Sequence, residues 1–213
     1  MSIANNLNKI KESIPKGVTL VAVSKTKPNS DILEAHNAGH RIFGENKVQE
    51  LVEKYEELPK DIQWHMIGHL QSNKVKYIAP FVNLIHGVDS LKLLKEINKR
   101  AEQNNRVIDC LLQVHIANES TKFGFGLEEI DLIITNVRQF KNINIKGLMG
   151  MATFTDDRNQ ISNEFTSLER LFYEIKNKNI NILSIGMSGD YDIAIKNGST
   201  MIRVGSAIFG SRN

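Results

Sequence analysis

The feature that most constrains this sequence is a repeated alternation of short apolar segments, rich in β-branched residues, with longer segments of helical periodicity. The apolar segments are nearly continuous, which is typical of strands that are buried on both faces. Strict alternation of strand and helix indicates a parallel sheet covered by helices. The eight predicted strands are residues 18–24, 41–44, 64–68, 84–88, 110–116, 145–149, 182–187 and 201–204.

Helical periodicity occupies most of the intervening segments. In the first of them Ile3, Leu7, Ile10 and Ile14 are spaced three or four residues apart, so they share one face of a helix. The predicted helices are residues 3–14, 31–38, 47–58, 91–103, 127–137 and 160–178, with Ser30 and Ser90 as N-caps of the second and the fourth.

Eight strands, most of them followed by a helix, predict an α/β fold with a single closed (β/α)8 TIM barrel. The competing architecture is an open, doubly wound sheet, in which a glycine-rich turn usually follows the first strand. Here the first strand runs instead into Ser24-Lys25-Thr26-Lys27-Pro28, which favours the barrel. The length of 213 residues suits one domain spanning residues 1–213.

Composition and charge narrow the function classes. Hydrophobic residues make up 41% of the chain and charged residues 24%, and the net charge of +3 is too small to indicate a nucleic-acid partner. Cys110 is the single cysteine, lies in an apolar run, and is expected to be a buried, inert thiol. The amino terminus has no signal-peptide core, and no stretch is apolar enough to span a membrane, so we expect a cytoplasmic protein.

Polar and small residues end the predicted strands, where the loops of a barrel converge at its mouth. The most informative of them is Lys25, which directly follows an apolar strand. An amine in a partly dry pocket has a lowered pKa, and a neutral amine can attack an aldehyde to form an imine. The chain has 27 lysines and arginines, and a surface position is the ordinary expectation for any one of them. Whether Lys25 has a function must therefore be judged from the residues at the neighbouring strand ends.

The last two strands predict a phosphate site. Ser188 and Gly189 follow the seventh strand and open a helical segment, residues 190–196, and Gly205 and Ser206 follow the eighth and open the short stretch 207–209. Barrels frequently bind phosphate at this pair of loops. Glycine allows close approach of the backbone, and the N–H groups at a helix start attract an anion. Arg203, inside the barrel, must meet either an acidic side chain or a ligand.

The histidines favour no metal site. His65 and His69 are four residues apart but flank a strand, so they cannot converge as in a helical zinc motif. His69 is placed to reach the barrel mouth. Core or surface positions are the expectation for His36, His40, His65, His86 and His115.

Several segments, in order along the whole chain, resemble the pyridoxal phosphate homeostasis proteins. These segments are Val21-Ala-Val-Ser-Lys25-Thr-Lys-Pro28, Phe43-Gly-Glu-Asn46, Val48-Gln-Glu50, Trp64-His-Met-Ile-Gly-His-Leu-Gln-Ser-Asn-Lys74, Lys122-Phe-Gly124, Gly147-Leu-Met149, Met187-Ser-Gly-Asp190 and Arg203-Val-Gly-Ser-Ala-Ile-Phe-Gly210. The resemblance implies a fold similar to the barrel domain of alanine racemase and a role in the cellular balance of pyridoxal 5′-phosphate (PLP, the vitamin B6 cofactor).

The resemblance also implies roles for individual residues. Lys25 matches the lysine that holds PLP as a Schiff base, Asn46 a residue beside its ring, and Arg203 the arginine facing its pyridine nitrogen. The phosphate-binding loops match Ser188, Gly189, Gly205 and Ser206; relatives often have threonine at position 206, and serine keeps the hydroxyl.

The leading hypothesis is therefore a PLP binder without significant amino-acid turnover. The racemases carry a second, β-rich domain, for which a chain ending at Asn213 is expected to leave no room, and without its contacts we expect a monomer. PLP is the expected small-molecule partner, with PLP-dependent apo-enzymes as further candidates. Three alternatives stay open: a single-domain PLP-dependent racemase or lyase using His69 or Tyr191, a cofactor-free aldolase with a lysine imine, and a scaffold with an incidental phosphate site.

Overall fold

A computed structural model describes residues 2–118 and 123–211 of the chain. Eight parallel strands form a closed barrel in sequence order, and β8 pairs with β1 to close it. The barrel and the eight strands are thus as the alternation predicted. The strands are β1 Thr19–Val23, β2 Ile42–Glu45, β3 Gln63–Met66, β4 Leu84–Val88, β5 Ile108–Gln113, β6 Ile143–Met149, β7 Ile182–Ser184 and β8 Met201–Val204.

Helices connect the strands on the outside of the barrel. They are α1 Ile3–Ser13, α2 Asn29–Asn37, α3 Val48–Glu57, α4 Val75–Ile78, α5 Leu91–Gln103, α6 Ile130–Val137, α7 Arg158–Ile175, α8 Tyr191–Lys196 and α9 Ser206–Phe209. The sequence pattern missed α4, because four residues are too few to show a helical period.

Two N-caps were predicted, and one of them is wrong. Ser90 caps α5 as expected, since its hydroxyl accepts a hydrogen bond from the Leu93 N–H at 3.3 Å. Ser30 does not cap α2: the helix begins one residue earlier, at Asn29, and Pro28 is its N-cap. The Pro28 carbonyl accepts the bond from the Asp31 N–H at 3.1 Å, so Ser30 lies inside the first turn.

Strand ends differ from the predicted bounds mainly in β5 and β7. The backbone of β7 leaves the sheet after Ser184, and Gly186, at φ +95°, turns the chain towards α8. Strand β5 begins two residues earlier than predicted, at Ile108, whose N–H donates to the Asn142 carbonyl ahead of β6. The apolar runs alone could not predict where these strands begin and end, because strand ends depend on which backbone groups pair with a neighbouring strand.

The barrel interior changes from apolar to polar along the strands. Alternate residues of a strand face the same side, so each interior residue is followed two positions later by another. The apolar interior cluster contains Leu84, Leu111, Met201 and, packed against it, Ile182. Two residues further on lie His86, Gln113, Arg203 and Ser184, respectively, all of them buried. In these four strands the interior therefore changes from apolar to polar towards the carboxyl ends, whereas Met149 at the end of β6 belongs to the apolar cluster.

Within the described part of the chain, no helix combines the length and the apolar character needed to cross a membrane. Most of the buried apolar side chains lie in the larger of two clusters, between the strands and the surrounding helices. Cys110 belongs to it and is buried as predicted, and burial raises the pKa of its thiol.

Candidate functional site

A pocket of about 750 Å³ opens at the carboxyl ends of the strands. All the residues predicted to bind a cofactor line it: Lys25, Asn46, Ser188, Gly189, Arg203, Gly205 and Ser206. They come from four different strand ends, so only closure of the barrel brings them together. Lys122, part of one family segment, lies outside the described residues.

Lys25 lies in a tight turn directly after β1. The Lys27 N–H donates to the Ser24 carbonyl at 3.0 Å and closes the turn, with Lys25 and Thr26 at its centre. Thr26 has a φ of +65°. This left-handed conformation is rare for a residue branched at Cβ, and the corresponding turn position is usually glycine. The turn that presents Lys25 is therefore strained.

A group of four side chains lies behind this turn, between β1, β2 and α3; three of them are buried and the fourth, Glu50, is partly buried. We call Ser24, Glu45, Glu50 and Lys54 the Lys54 network. The Lys54 ammonium donates to Glu45 Oε1 at 2.9 Å, to Glu50 Oε1 at 2.7 Å and to the Ser24 carbonyl at 2.8 Å. The Ser24 hydroxyl donates to Glu45 Oε1 at 2.5 Å. Ordinary surface lysines have no such set of partners.

Glu45 is fully buried, and this burial raises the pKa of its carboxyl. The adjacent Lys54 ammonium and the Ser24 hydroxyl oppose the shift, because both favour the charged form. Glu45 Oε2 has no hydrogen-bond partner in the part of the chain that the structure describes, so its desolvation is incompletely offset.

The two predicted phosphate loops contact each other. The Gly205 N–H donates to the Ser188 hydroxyl at 3.1 Å, which leaves the Ser188 O–H free to donate elsewhere. Asp190 folds the first loop by accepting from the Met187 N–H at 2.6 Å, and burial raises the pKa of its carboxyl. Ser206 begins α9, and the first N–H groups of a helix have no partner within it. The loops can therefore offer hydroxyl and backbone donors to an anion.

Arg203 begins a chain of buried polar side chains inside the barrel. We call Arg203, Ser184, His86 and His65 the Arg203 chain. The guanidinium donates to the Ser184 hydroxyl at 2.6 Å, to the Ser184 carbonyl at 2.8 Å and to the Gly150 carbonyl at 3.0 Å. Burial lowers the pKa of Arg203 to about 10, so it stays charged at neutral pH. We predicted that Arg203 meets either an acidic side chain or a ligand. Among residues 2–118 and 123–211 no carboxylate forms an ion pair with it, but the charge of Asp190 raises its pKa.

The two histidines continue the Arg203 chain away from the pocket. His86 Nδ1 lies 3.2 Å from the Ser184 hydroxyl, and His86 Nε2 lies 3.0 Å from His65 Nδ1. Every bond is satisfied when Ser184 donates to His86 and His86 donates to His65, with both rings neutral. Burial favours this state, because it lowers the pKa of His65 to about 3 and that of His86 well below 6.5.

His69, which the sequence predicts at the mouth, and several residues that the sequence did not indicate also line the pocket. His69 reaches the mouth as expected, where it pairs with Asp89 at 2.9 Å and stacks on Phe123 at a centroid distance of 4.2 Å. The segment 151–156 after β6 and Gln113 at the end of β5 complete this side. The two-residue alternation in β5 could have indicated Gln113, whereas the segment 151–156 shows no comparable signal.

Two further observations bear on the chemistry of the pocket. Asn46 Oδ1 is buried without a hydrogen-bond partner among residues 2–118 and 123–211, as expected of a group that a ligand satisfies. Within the same residues, no group of three histidine, cysteine, aspartate or glutamate side chains is arranged to hold a metal ion. Tyr191 is not among the residues lining the pocket, so of the two suggested bases only His69 is placed there.

Comparison with known proteins places the chain in a family. The family model described as "Alanine racemase, N-terminal domain" matches residues 1–213. A relative from Haemophilus influenzae, named pyridoxal phosphate homeostasis protein, is 38% identical over 100% of this chain and 97% of its own. A relative of the same name from Escherichia coli K12 is 36% identical over 99% of this chain and 97% of its own. The chain belongs to the pyridoxal phosphate homeostasis protein family.

Solved structures agree with this membership of the pyridoxal phosphate homeostasis protein family. PipY of Synechococcus elongatus, solved without PLP, is 33% identical, with a TM-score of 0.93 over 98% of this chain and 100% of its own. PipY with PLP bound gives a TM-score of 0.89. Alanine racemase of Bartonella henselae, at 15% identity and a TM-score of 0.76, shares the fold over 58% of its length. The predicted family and the predicted fold are both confirmed.

Proposed function

We propose that this protein, as a single domain, binds PLP in the pocket and holds it covalently on Lys25. In this way it would take part in keeping the concentration of free PLP in the cell in balance. The observation that carries the proposal is that Lys25 and both serine–glycine loops line one pocket. The unsatisfied Asn46 Oδ1 in the same pocket and the PLP bound by the relative PipY support it.

Each part of the pocket suits one part of PLP. The hydroxyls and backbone N–H groups of Ser188, Gly189, Gly205 and Ser206 would hold the phosphate. Asn46 would lie beside the ring, and Arg203 would face the pyridine nitrogen. When bound, PLP supplies an aldehyde that condenses with a primary amine, with loss of water.

Arg203 limits amino-acid turnover in this proposal. A guanidinium donates hydrogen bonds but accepts none, and a pKa of about 10 keeps it charged at neutral pH. A positive charge next to the pyridine nitrogen disfavours protonation there, and an unprotonated ring withdraws electrons less strongly. Proton transfer on both faces of a substrate would also need a second base, and His69 is held by Asp89 and Phe123.

The proposal extends to the setting in which PLP is held. We infer a cytoplasmic monomer that keeps reactive PLP shielded and releases it to PLP-dependent apo-enzymes. Transfer can be measured by mixing the loaded protein with an apo-enzyme and following recovery of that enzyme's activity against an equal concentration of free PLP. Sedimentation measures the mass of the protein in solution.

A visible absorbance spectrum with and without borohydride tests the covalent attachment. PLP should give an absorbance band that borohydride abolishes, and peptide mass spectrometry should find a phosphopyridoxyl group on Lys25. Lys27 is the internal comparison, because it also lines the pocket, but its ammonium is bound to the Phe209 and Ser211 carbonyls at 3.0 and 3.1 Å. Lys25→Ala should lose the band, whereas Lys92→Ala on the exposed face of α5 should keep it.

An adduct on Lys27 alone, or a sugar fragment in place of phosphopyridoxyl, would refute the assignment.

The racemase alternative is favoured by one observation, the position of His69 at the pocket. A chiral assay over the common amino acids, with Lys25→Ala as control, distinguishes it. Racemisation at ordinary enzyme rates would overturn the proposal of a binder with little turnover.

A further inference from the structure

The turn that carries Lys25 is held on both sides by α3. On one side the Lys54 ammonium binds the Ser24 carbonyl at 2.8 Å, and on the other the Thr26 N–H donates to Glu50 Oε1 at 2.5 Å. Glu50 and Lys54 are themselves paired at 2.7 Å, one helical turn apart. The backbone groups flanking Lys25 are therefore bound to a single ion pair on α3.

We propose that Glu50, acting through the Thr26 backbone together with Lys54, is a positioning residue that aims the Lys25 amine for condensation with PLP. This inference rests on the proposed function and deepens it, since it assigns the geometry of the reacting amine to two side chains outside the pocket wall.

The backbone strain at Thr26 is the physical reason why the turn needs to be held by side chains of α3. A non-glycine residue in the left-handed region relaxes unless surrounding contacts hold it. Here the hydrogen bond from the Thr26 N–H fixes the peptide between Lys25 and Thr26, and thereby the direction in which the Lys25 side chain leaves the backbone. Burial of Lys54 makes the anchor rigid, because its side chain is only 6% exposed and is held by two carboxylates.

The reaction that this geometry would serve is the condensation of an amine with an aldehyde. The neutral Lys25 amine would attack the aldehyde carbon, a carbon–nitrogen double bond would replace the carbon–oxygen double bond, and the carbonyl oxygen would leave as water together with both amine hydrogens. The reaction equilibrium depends on where the amine lies relative to the aldehyde, whereas binding of the phosphate and the ring does not. A misplaced Lys25 amine should therefore weaken the covalent component of PLP binding and leave binding of the phosphate and the ring unchanged.

Two ligands separate these components. PLP can condense with Lys25, whereas pyridoxine 5′-phosphate has an alcohol in place of the aldehyde and binds without condensing. In Glu50→Ala, which removes the acceptor, PLP affinity should fall at least about tenfold, and pyridoxine 5′-phosphate affinity should stay within about twofold of wild type. Glu50→Gln keeps an oxygen that can accept from the Thr26 N–H and should restore most of the PLP affinity.

Glu53→Ala is the matched control, because Glu53 is exposed on the same helix one turn further along. It should change neither affinity. Hydrogen exchange of the Thr26 amide in the PLP-free protein gives an independent readout: protection should be lost in Glu50→Ala and kept in Glu50→Gln and Glu53→Ala.

Unchanged PLP affinity in Glu50→Ala would overturn the inference, as would an equal loss for both ligands, which indicates a merely structural role. Equal loss in Glu50→Gln and Glu50→Ala would also contradict it, because the hydrogen bond would then not be the cause. If wild-type protein forms no adduct on Lys25, the proposed function fails instead, and amide exchange still decides whether Glu50 holds the turn.

Discussion

The Lys54 network and the Arg203 chain lie on opposite sides of the barrel wall and bury a cation in different ways. Lys54 lies outside the wall, between α3 and the strands, and its partners include two carboxylates, Glu45 and Glu50. Arg203 lies inside the wall and donates to two carbonyls and a hydroxyl, all of them neutral. Lys54 is neutralised by carboxylates in direct contact, whereas the groups in direct contact with Arg203 are dipoles and the charge of Asp190 acts on it from further away.

The difference indicates what each region is suited to do. A buried ion pair tolerates little movement, because separation of its members exposes an uncompensated charge. That property suits an anchor for the turn that carries Lys25. A guanidinium whose charge is not neutralised by a contacting carboxylate keeps its field for a ligand in the pocket, which suits Arg203.

The largest effect should follow from removing the Lys54 cation. Lys54→Met leaves Glu45 buried and unpaired, so we expect the free energy of unfolding in urea to fall by about 3–5 kcal/mol. Glu53→Ala on the same helix should change it by less than about 0.5 kcal/mol. A loss below about 1 kcal/mol in Lys54→Met would mean that the network is not an anchor.

The matched substitution on the other side of the barrel wall, Arg203→Met, should lower the free energy of unfolding by less than Lys54→Met does. Arg203→Met leaves the Ser184 and Gly150 carbonyls without their donor, but these groups are neutral, so we expect a loss of about 1–3 kcal/mol. PLP affinity should fall as well, with the barrel still folded by circular dichroism. If Arg203→Met destabilised the protein more than Lys54→Met, the comparison between the two regions would be reversed.

Acid should lower the contribution that the histidines of the Arg203 chain make to the free energy of unfolding. The pKa of His65 is lowered to about 3 in the folded protein, so the unfolded chain binds protons first as the pH falls below about 6.5. This stabilising contribution is complete above pH 6.5 and lost progressively towards pH 3. Burial raises the pKa of Glu45, which has the opposite sign: its protonation in the folded state favours folding as the pH falls.

His65→Gln isolates the histidine contribution, since glutamine can form hydrogen bonds but does not titrate. The unfolding free energy of the variant should decline less steeply between pH 5.5 and 4, by up to about 1.4 kcal/mol per pH unit. Urea unfolding at several pH values measures this slope. Equal slopes in variant and wild type would show that His65 is protonated in the folded protein.

The smallest effect concerns one glycine in each of the two proposed phosphate loops, Gly189 and Gly205. A Cβ on Gly205 would lie 3.2 Å from the Val23 carbonyl oxygen, whereas a Cβ on Gly189 would meet no atom within 4 Å. Gly205→Ala should therefore lower the unfolding free energy by about 1 kcal/mol, and Gly189→Ala by less than about 0.5 kcal/mol. Equal costs at the two positions would indicate that the loop after β8 adjusts freely.

The sequence by itself predicted the barrel and the side chains that end its strands. The apolar runs and their spacing are local properties, and closure of parallel strands then brings Lys25, Ser188 and Gly205 to one mouth. Ser30 was misplaced as a cap and α4 was missed, because helix ends and one-turn helices carry too little local signal.

Only the tertiary structure decided what supports those side chains. Lys54 meets Ser24 across 30 positions of sequence, and His86 meets Ser184 across 98. In the sequence Lys54 is one lysine among many, and His65 and His86 are isolated histidines. Their roles depend on burial and on the few atoms within hydrogen-bond reach, and these are set by how strands and helices pack after the chain has closed into a barrel.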